Sequence, residues 1–352
     1  MIPENIVGHS DVLQKFQRWV SNRRLANTYL LAGPEGIGKR TTALWLAKAL
    51  LCETTPDNEM IACQTCSACQ QVDAMSHPDL LYVNRPADKN RIPIELLIGS
   101  REERMRAGLC HDIALKPYRG GRRIAIIDDA DFLNQEGANC LLKTLEEPPA
   151  SSTIFLISNS EHRQLATIRS RSQIVRFQPL QASDIQKILT QQGQVPEGVD
   201  QNQLALACDG SLQLAYVLCD PDTMEFRRSW LEQLATADPG REDFADSISS
   251  FVDAAGKEAA MKRDRLRLVA QLATQFYRNL MLQQCGHASV TDETMNQSVA
   301  AAALRWPSSA ATTANCVQRC GLVREHVLAN ANQALVIESF LSDLGRITRG
   351  EI

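Results

Sequence analysis

Thr28-Tyr29-Leu30-Leu31-Ala32-Gly33-Pro34-Glu35-Gly36-Ile37-Gly38-Lys39-Arg40-Thr41 runs from an apolar stretch into a glycine-rich turn that ends on a lysine. The first five residues suit a buried strand, and the residues after the turn suit a helix. Strand, glycine-rich loop and helix, in that order, is the context in which backbone N–H groups wrap a phosphate. Glycines at 33, 36 and 38 let those N–H groups face an anion without a Cβ in the way. The helix N-terminus adds positive potential, and Lys39 has the reach of the β/γ-phosphates. The next position departs from the pattern. A hydroxyl should follow the lysine to hold Mg²⁺, but Arg40 stands there and Thr41 comes one residue late. One residue turns a helical side chain by about 100°, so Thr41 does not replace the missing ligand. Gly33, Gly36, Gly38, Lys39, Arg40 and Thr41 thus form a degenerate nucleotide-binding set. ATP or ADP with Mg²⁺ stays open there, beside the plainer reading of a loop that holds no nucleotide. Efficient hydrolysis is not expected.

Four further apolar runs read as strands: Leu80–Val83, Arg123–Ile127, Thr153–Ile157 and Ile174–Phe177. Near-continuous apolar runs suit parallel strands covered on both faces, and the segments between them are long enough for crossover helices. The expectation is an α/β domain with a parallel sheet over residues 1–178. After Pro179 the strand pattern ends. Residues 182–192, 201–208 and 211–219 read as short helices, giving a small helical domain over 179–221. Pro221 marks the next boundary. Leu266, Val269, Ala273, Phe276 and Leu280 follow helical spacing, as do Ile337, Phe340, Leu341 and Leu344. Residues 222–352 are therefore read as a larger all-α domain.

Ile126-Ile127-Asp128-Asp129-Ala130-Asp131 places acids at the end of a strand, where ligands sit in open parallel sheets. Asp128 is placed to hold Mg²⁺ through water. Asp129 takes the usual place of a glutamate base but is one methylene shorter. The plain alternative is an aspartate capping the next helix. Cys52, Cys63, Cys66 and Cys69 are spaced for a structural tetrahedral Zn²⁺. Four free thiols or an iron–sulfur cluster remain as alternatives.

Net charge is -4 over 352 residues, so a chain that grips DNA alone through a basic surplus is disfavoured. No apolar run is long enough to span a membrane. Met1-Ile2-Pro3-Glu4-Asn5 shows no export signal, so a cytoplasmic location is expected. The cysteines number eleven, an odd count that argues against a disulfide framework, and the seven outside the cluster read as small buried residues.

In order, the chain carries the phosphate loop, the four cysteines, Ser76-His77-Pro78-Asp79, and Lys116-Pro117-Tyr118-Arg119-Gly120-Gly121-Arg122-Arg123. Next come Ile127 to Asp131, Asn139-Cys140-Leu141-Leu142-Lys143-Thr144-Leu145-Glu146-Glu147-Pro148-Pro149, and Thr167-Ile168-Arg169-Ser170-Arg171-Ser172. This resembles the clamp-loader subunits of bacterial DNA polymerase III, which are AAA+ proteins, and among them the delta-prime branch. The resemblance is strong over residues 6–215. It implies a P-loop domain, a helical lid and a C-terminal helical collar. The implied partners are other clamp-loader subunits (AAA+ motor subunits and delta), the sliding clamp indirectly, and primer–template DNA through the assembly. It implies that Arg171, in a Ser-Arg-Ser version of a Ser-Arg-Cys motif, is an arginine finger for the ATP of a neighbouring subunit. A surface salt bridge is the alternative. Asn159 is implied as a polar sensor, with Ser158 competing. Gln213 stands where ATPase members carry an arginine. Ile6-Val7-Gly8-His9 matches a segment that packs near adenine, although core packing explains it equally well. Two other readings are kept: an active motor ATPase of the same loader, and a zinc-bearing DNA-binding protein unrelated to loaders, for which Lys116–Arg123 would be the basic contact.

Overall fold

The computed structural model describes residues 6–56, 59–119, 121–193, 195, 198–236, 238, 242–287, 291–306 and 309–351. Met1–Asn5, on which the reading of the N-terminus rests, and Gly120 of the basic stretch lie outside the described residues. The chain divides into two compact units. One holds the residues up to Ile188 together with Gly210–Gln213, and the other holds Leu189–Asp209 and Leu214 onward.

The first unit contains α1 (Ser10–Ser21), β1 (Thr28–Ala32), α2 (Lys39–Leu51), α3 (Ser67–Asp73), β2 (Leu80–Val83), α4 (Glu95–Ile98) and α5 (Leu109–Asp112). It continues with β3 (Arg123–Ile127), α6 (Gln135–Glu146), β4 (Ser152–Ser158), α7 (Ala166–Ser170), β5 (Gln173–Arg176) and most of α8 (Ala182–Gln192). The five strands form one parallel sheet in the order β2-β3-β4-β1-β5. Each expected strand is present. β4 is longer than expected by Ser152 and Ser158, and β5 starts at Gln173 and ends at Arg176.

Successive residues of a strand face opposite sides of the sheet, and both sides are covered. Tyr29, Leu31, Ile124, Ile126, Phe155 and Ile157 pack with α1, α2 and the cysteine-bearing segment. Leu30, Ala125, Ile127, Ile154 and Leu156 pack with residues of α4, α5, α6 and α7. Two-sided burial is why the strands read as unbroken apolar runs. The register pairs Ala32 with Ser158 and Ile127 with Leu156. Gly33, Asp128 and Asn159 therefore leave the sheet at the same edge.

The second unit is helical, with no strand among its described residues. It includes α9 (Gln201–Ala207), α10 (Leu212–Leu218) from Leu214, α11 (Pro221–Leu234), α12 (Glu242–Asp253), α13 (Ala259–Gln284), α14 (Glu293–Arg305), α15 (Ala310–Leu328) and α16 (Gln333–Thr348). α13 buries Leu266, Val269, Ala273, Phe276 and Leu280, and α16 buries Ile337, Phe340, Leu341 and Leu344, as their spacing predicts. Arg227 of α11 meets Asp292 in a buried two-point ion pair, with bonds of 3.1 and 2.6 Å. The Trp230 indole donates to the Val269 carbonyl at 3.2 Å. Of the seven scattered cysteines, Cys110, Cys208, Cys316 and Cys320 are buried, and Cys140 and Cys219 are partly so. Cys285 departs from the expectation and is exposed, because it caps α13 where the chain leaves the helix.

Candidate nucleotide site and cysteine knuckle

Gly36 and Gly38 have φ of 77° and 95°, in the left-handed region where a side chain is strained. A Cβ on Gly36 would also lie 2.2 Å from Ser211 Oγ and 2.7 Å from Gln213 Cβ. The Leu212 N–H donates to the Gly36 carbonyl at 2.9 Å, so residues 211–213 brace the loop. From another side, the buried His9 ring places Nε2 2.5 Å from the Ile37 carbonyl and stands edge-on to Phe177. The Ile6–His9 segment thus packs against the loop.

Lys39 opens α2 and is only 6 % exposed. Its ammonium donates to the Gly33 carbonyl at 2.7 Å, the Pro34 carbonyl at 2.5 Å and Asn159 Oδ1 at 3.3 Å. Burial brings its pKa down to about 8, against the pull of Glu35 and Asp131. Asn159 is the residue whose side chain meets the lysine. Ser158 turns elsewhere and donates to Asp131 Oδ1 at 2.5 Å. Thr41 is exposed, and Thr42 is buried with its hydroxyl on the Gly38 carbonyl at 3.0 Å.

Arg40 occupies the side where the missing hydroxyl would have stood. Its Nε lies 3.8 Å from Asp128 Oδ2, and its guanidinium covers the Tyr82 ring at 5.1 Å. Tyr82 donates to the same Asp128 oxygen at 2.8 Å, and the Asp129 N–H donates to Asp128 Oδ1 at 3.0 Å. Asp129, with φ 56°, pairs with Arg85 Nε at 3.7 Å. Burial, and then the neighbouring Asp128, raises the Asp129 pKa. Asp128 and Asp129 thus each have an arginine within 4 Å.

Arg171 caps the C-terminus of α7. Its side chain, 33 % exposed, pairs with Glu146 at the end of α6 at 2.6 Å, and Glu146 is 48 % exposed. The same guanidinium donates to the Thr167 carbonyl at 3.1 Å. The arginine is neutralised within its own unit, but at the surface.

The four cysteines converge. Cys52 ends α2, Cys66 caps α3, and the four sulfurs lie within 4.8 Å of one another. Cys52 to Cys66 and Cys63 to Cys69 are both 3.9 Å. Four thiolates about 2.3 Å from one tetrahedral ion sit ~3.8 Å apart, so one metal ion fits this set. A disulfide needs sulfurs ~2.05 Å apart, and a multi-atom cluster would spread them further. Backbone N–H groups of Cys63, Cys66 and Cys69 point at the sulfurs of Cys52, Cys63 and Cys66, respectively. The Cys66 N–H and then the Thr54 hydroxyl hold the Cys63 thiol down to about 5, which favours the thiolate that binds metal.

Residues 8–181 match a family model described as DNA polymerase III, delta subunit. A Pseudomonas aeruginosa protein named DNA polymerase III subunit delta' is 38 % identical over 146 residues, which span 42 % of this chain and 41 % of that protein. The chain belongs to the AAA+ clamp-loader family. A Bacillus subtilis subunit delta' is 32 % identical over 185 residues, 53 % of this chain and 52 % of that one. The subunit tau of the same organism is 29 % identical over 222 residues, 62 % of this chain and 37 % of that one. The chain spans about half or less of the length of these relatives.

Within this clamp-loader domain, residues not singled out in the sequence organise the site. Asp131 accepts from Ser158, from the Asn159 N–H at 2.7 Å and from Gln164 at 3.0 Å, and so sets the end of β4. Tyr82 within β2 and Arg85 just after it reach Asp128 and Asp129. Asp79, fully buried, accepts from the Tyr118 and Arg119 N–H groups at 2.7 and 3.1 Å and from Arg123 Nε at 3.3 Å. The basic stretch is thus tied to the Ser76–Asp79 motif. The acids of the motifs signalled these contacts only as charged residues without nearby partners in sequence.

Proposed function

We propose that this chain is a delta-prime-type clamp-loader subunit acting in DNA replication. It places Arg171 at the ATP site of a neighbouring AAA+ subunit and does not itself hydrolyse ATP efficiently. The observation that carries the reading is the position of Arg171 at a helix end, held by a half-exposed carboxylate that a more strongly charged partner can displace. A guanidinium set against a γ-phosphate stabilises charge that develops in the transition state. Arg40, the short Asp129 and Gln213 support weak turnover at the chain's own loop, which is read as a non-hydrolysing nucleotide pocket. The helical unit after residue 222 would join a collar with other loader subunits. The sliding clamp and primer–template DNA would be met through that assembly. Zn²⁺ would occupy Cys52, Cys63, Cys66 and Cys69 as a structural ion.

The test is Arg171→Ala in a reconstituted loader. ATPase of the assembly should fall while assembly and folding persist. Unchanged ATPase removes the proposed role. The retained Lys39 favours a second reading, an active motor subunit. Steady phosphate release by the isolated chain would select it. Tight, salt-sensitive duplex binding by the chain alone would favour the unrelated DNA-binding reading.

A further inference from the structure

The residues at the phosphate loop do not fit a divalent cation. Such an ion would need a hydroxyl after Lys39 and a carboxylate open to its water shell. Thr41 is exposed, and the Thr42 hydroxyl is spent on the Gly38 carbonyl at 3.0 Å. Asp128 has donors on both oxygens, Tyr82 at 2.8 Å on Oδ2 and the Asp129 N–H at 3.0 Å on Oδ1, with Arg40 3.8 Å from Oδ2. A guanidinium beside that carboxylate repels a second cation.

The same arrangement supplies what the cation otherwise would. Phosphates brought to this edge would face two carboxylates, and like charges oppose such approach. Here Arg40 neutralises Asp128, and Arg85, 3.7 Å from Asp129, neutralises the second acid. Lys39 is the complement. Its buried ammonium bonds to two carbonyls and the Asn159 amide oxygen, with no carboxylate in hydrogen-bond contact among the described residues. Glu35 and the acids of the sheet edge pull on this ammonium from further away, and a phosphate would be its direct anionic contact.

We infer that Arg40 stands in for the divalent cation, so that the loop holds a nucleoside di- or triphosphate without Mg²⁺. The inference deepens the reading of the loop as a non-hydrolysing pocket, and it does not depend on Arg171.

The experiment is calorimetric titration of ADP into the purified full chain, once with Mg²⁺ and once with EDTA. The wild type should change affinity less than about threefold between the two, and Arg40→Ser should bind at least about tenfold more tightly with Mg²⁺ than with EDTA. Lys39→Met should abolish binding in both, with a thermal melt confirming that it folds. Wild-type affinity that drops about tenfold in EDTA overturns the inference and leaves the pocket standing. An Arg40→Ser chain indifferent to Mg²⁺ also overturns it. Absence of ADP binding under both conditions, or binding that survives Lys39→Met, overturns the inference and the pocket together. Arg171→Ala should bind ADP like the wild type, so the loader ATPase test is read independently.

Discussion

Replacing Arg171 by alanine and Glu146 by glutamine should have nearly equal effects on folding and very unequal effects on catalysis. The pair is 2.6 Å long, but its side chains are 33 % and 48 % exposed. Exposed pairs contribute ~0–1 kcal/mol after screening and side-chain ordering are counted. In a unit of this size 1 kcal/mol moves the melting temperature by about 2–4 °C. Both variants should therefore melt within about 4 °C of the wild type. An arginine finger is worth ~10³–10⁵ in kcat at the nucleotide site it serves. Arg171→Ala should remove that contribution from one site of the loader, whereas Glu146→Gln should leave it or raise it by freeing the guanidinium. The assay is steady-state ATP hydrolysis by the reconstituted loader with each variant, beside melts of the isolated chains. If the arginine were only a surface brace, the two variants would hydrolyse ATP alike. A loader ATPase unchanged by Arg171→Ala, or equal losses from the two substitutions, refutes the reasoning.

Cys69→Ser should lower zinc affinity by more than the ~10–100-fold that changes around a metal site cost; metal analysis of reduced protein should find about one zinc per wild-type chain, and a metal-free wild type would count against the knuckle. Arg227→Met leaves the Asp292 carboxylate buried without its partner and should cost ~3–5 kcal/mol in denaturant melts, while Arg227→Met with Asp292→Asn should recover part of that loss; a single-variant loss under about 1 kcal/mol would mean water reaches the pair. Lys39 carries a pH signature: burial holds its folded pKa at about 8, below the ordinary 10.5, so the unfolded chain binds more protons between those values and stability from this group rises with pH across that window. Below about pH 8 the burial penalty is complete, so the stability advantage of Lys39→Met over the wild type should be largest there and shrink toward pH 10; an advantage that does not vary with pH would place the amine in water.

The sheet was legible because its strands are covered twice. Leu30 enters one core and Leu31 the other, so the apolar runs are unbroken and their bounds are visible to within a residue or two. Ser152 and Ser158 do not extend an apolar run, and their hydroxyls are satisfied by the Pro149 carbonyl and by Asp131, contacts that no strand pattern reveals. The cysteine knuckle was legible because all four cysteines come from 18 consecutive positions, Cys52 to Cys69. The contacts that tune the edge were not. Tyr82 reaches Asp128 across 46 residues, Asp131 reaches Asn159 across 28, and Asp79 reaches Arg119 across 40. No local spacing encodes such pairs, since they depend on which strands become neighbours. The partner of Arg171 was hidden for the same reason: Glu146 belongs to a recognised motif, yet only the approach of α6 to α7 brings the two charges together.

A phosphate-loop motif and a phosphate site are separable, and this chain shows how. Gly36 is required by its own neighbours: its φ is positive, and any Cβ would strike Ser211 and Gln213. Gly38 also has positive φ. These glycines would be needed even if no anion ever arrived, because the loop is where the Ile6–His9 segment and residues 211–213 pack. Lys39 is different. A buried ammonium whose direct hydrogen bonds all go to neutral oxygens, with Glu35, Asp131, Asp128 and Asp129 acting on it only from further away, recovers less of its desolvation cost than one in contact with an anion, and an apolar side chain of similar length would pack there at less cost. Packing thus accounts for the glycines and leaves the lysine unexplained. The residue that argues for an anion is the lysine, and the residue that argues against a metal is the arginine beside it.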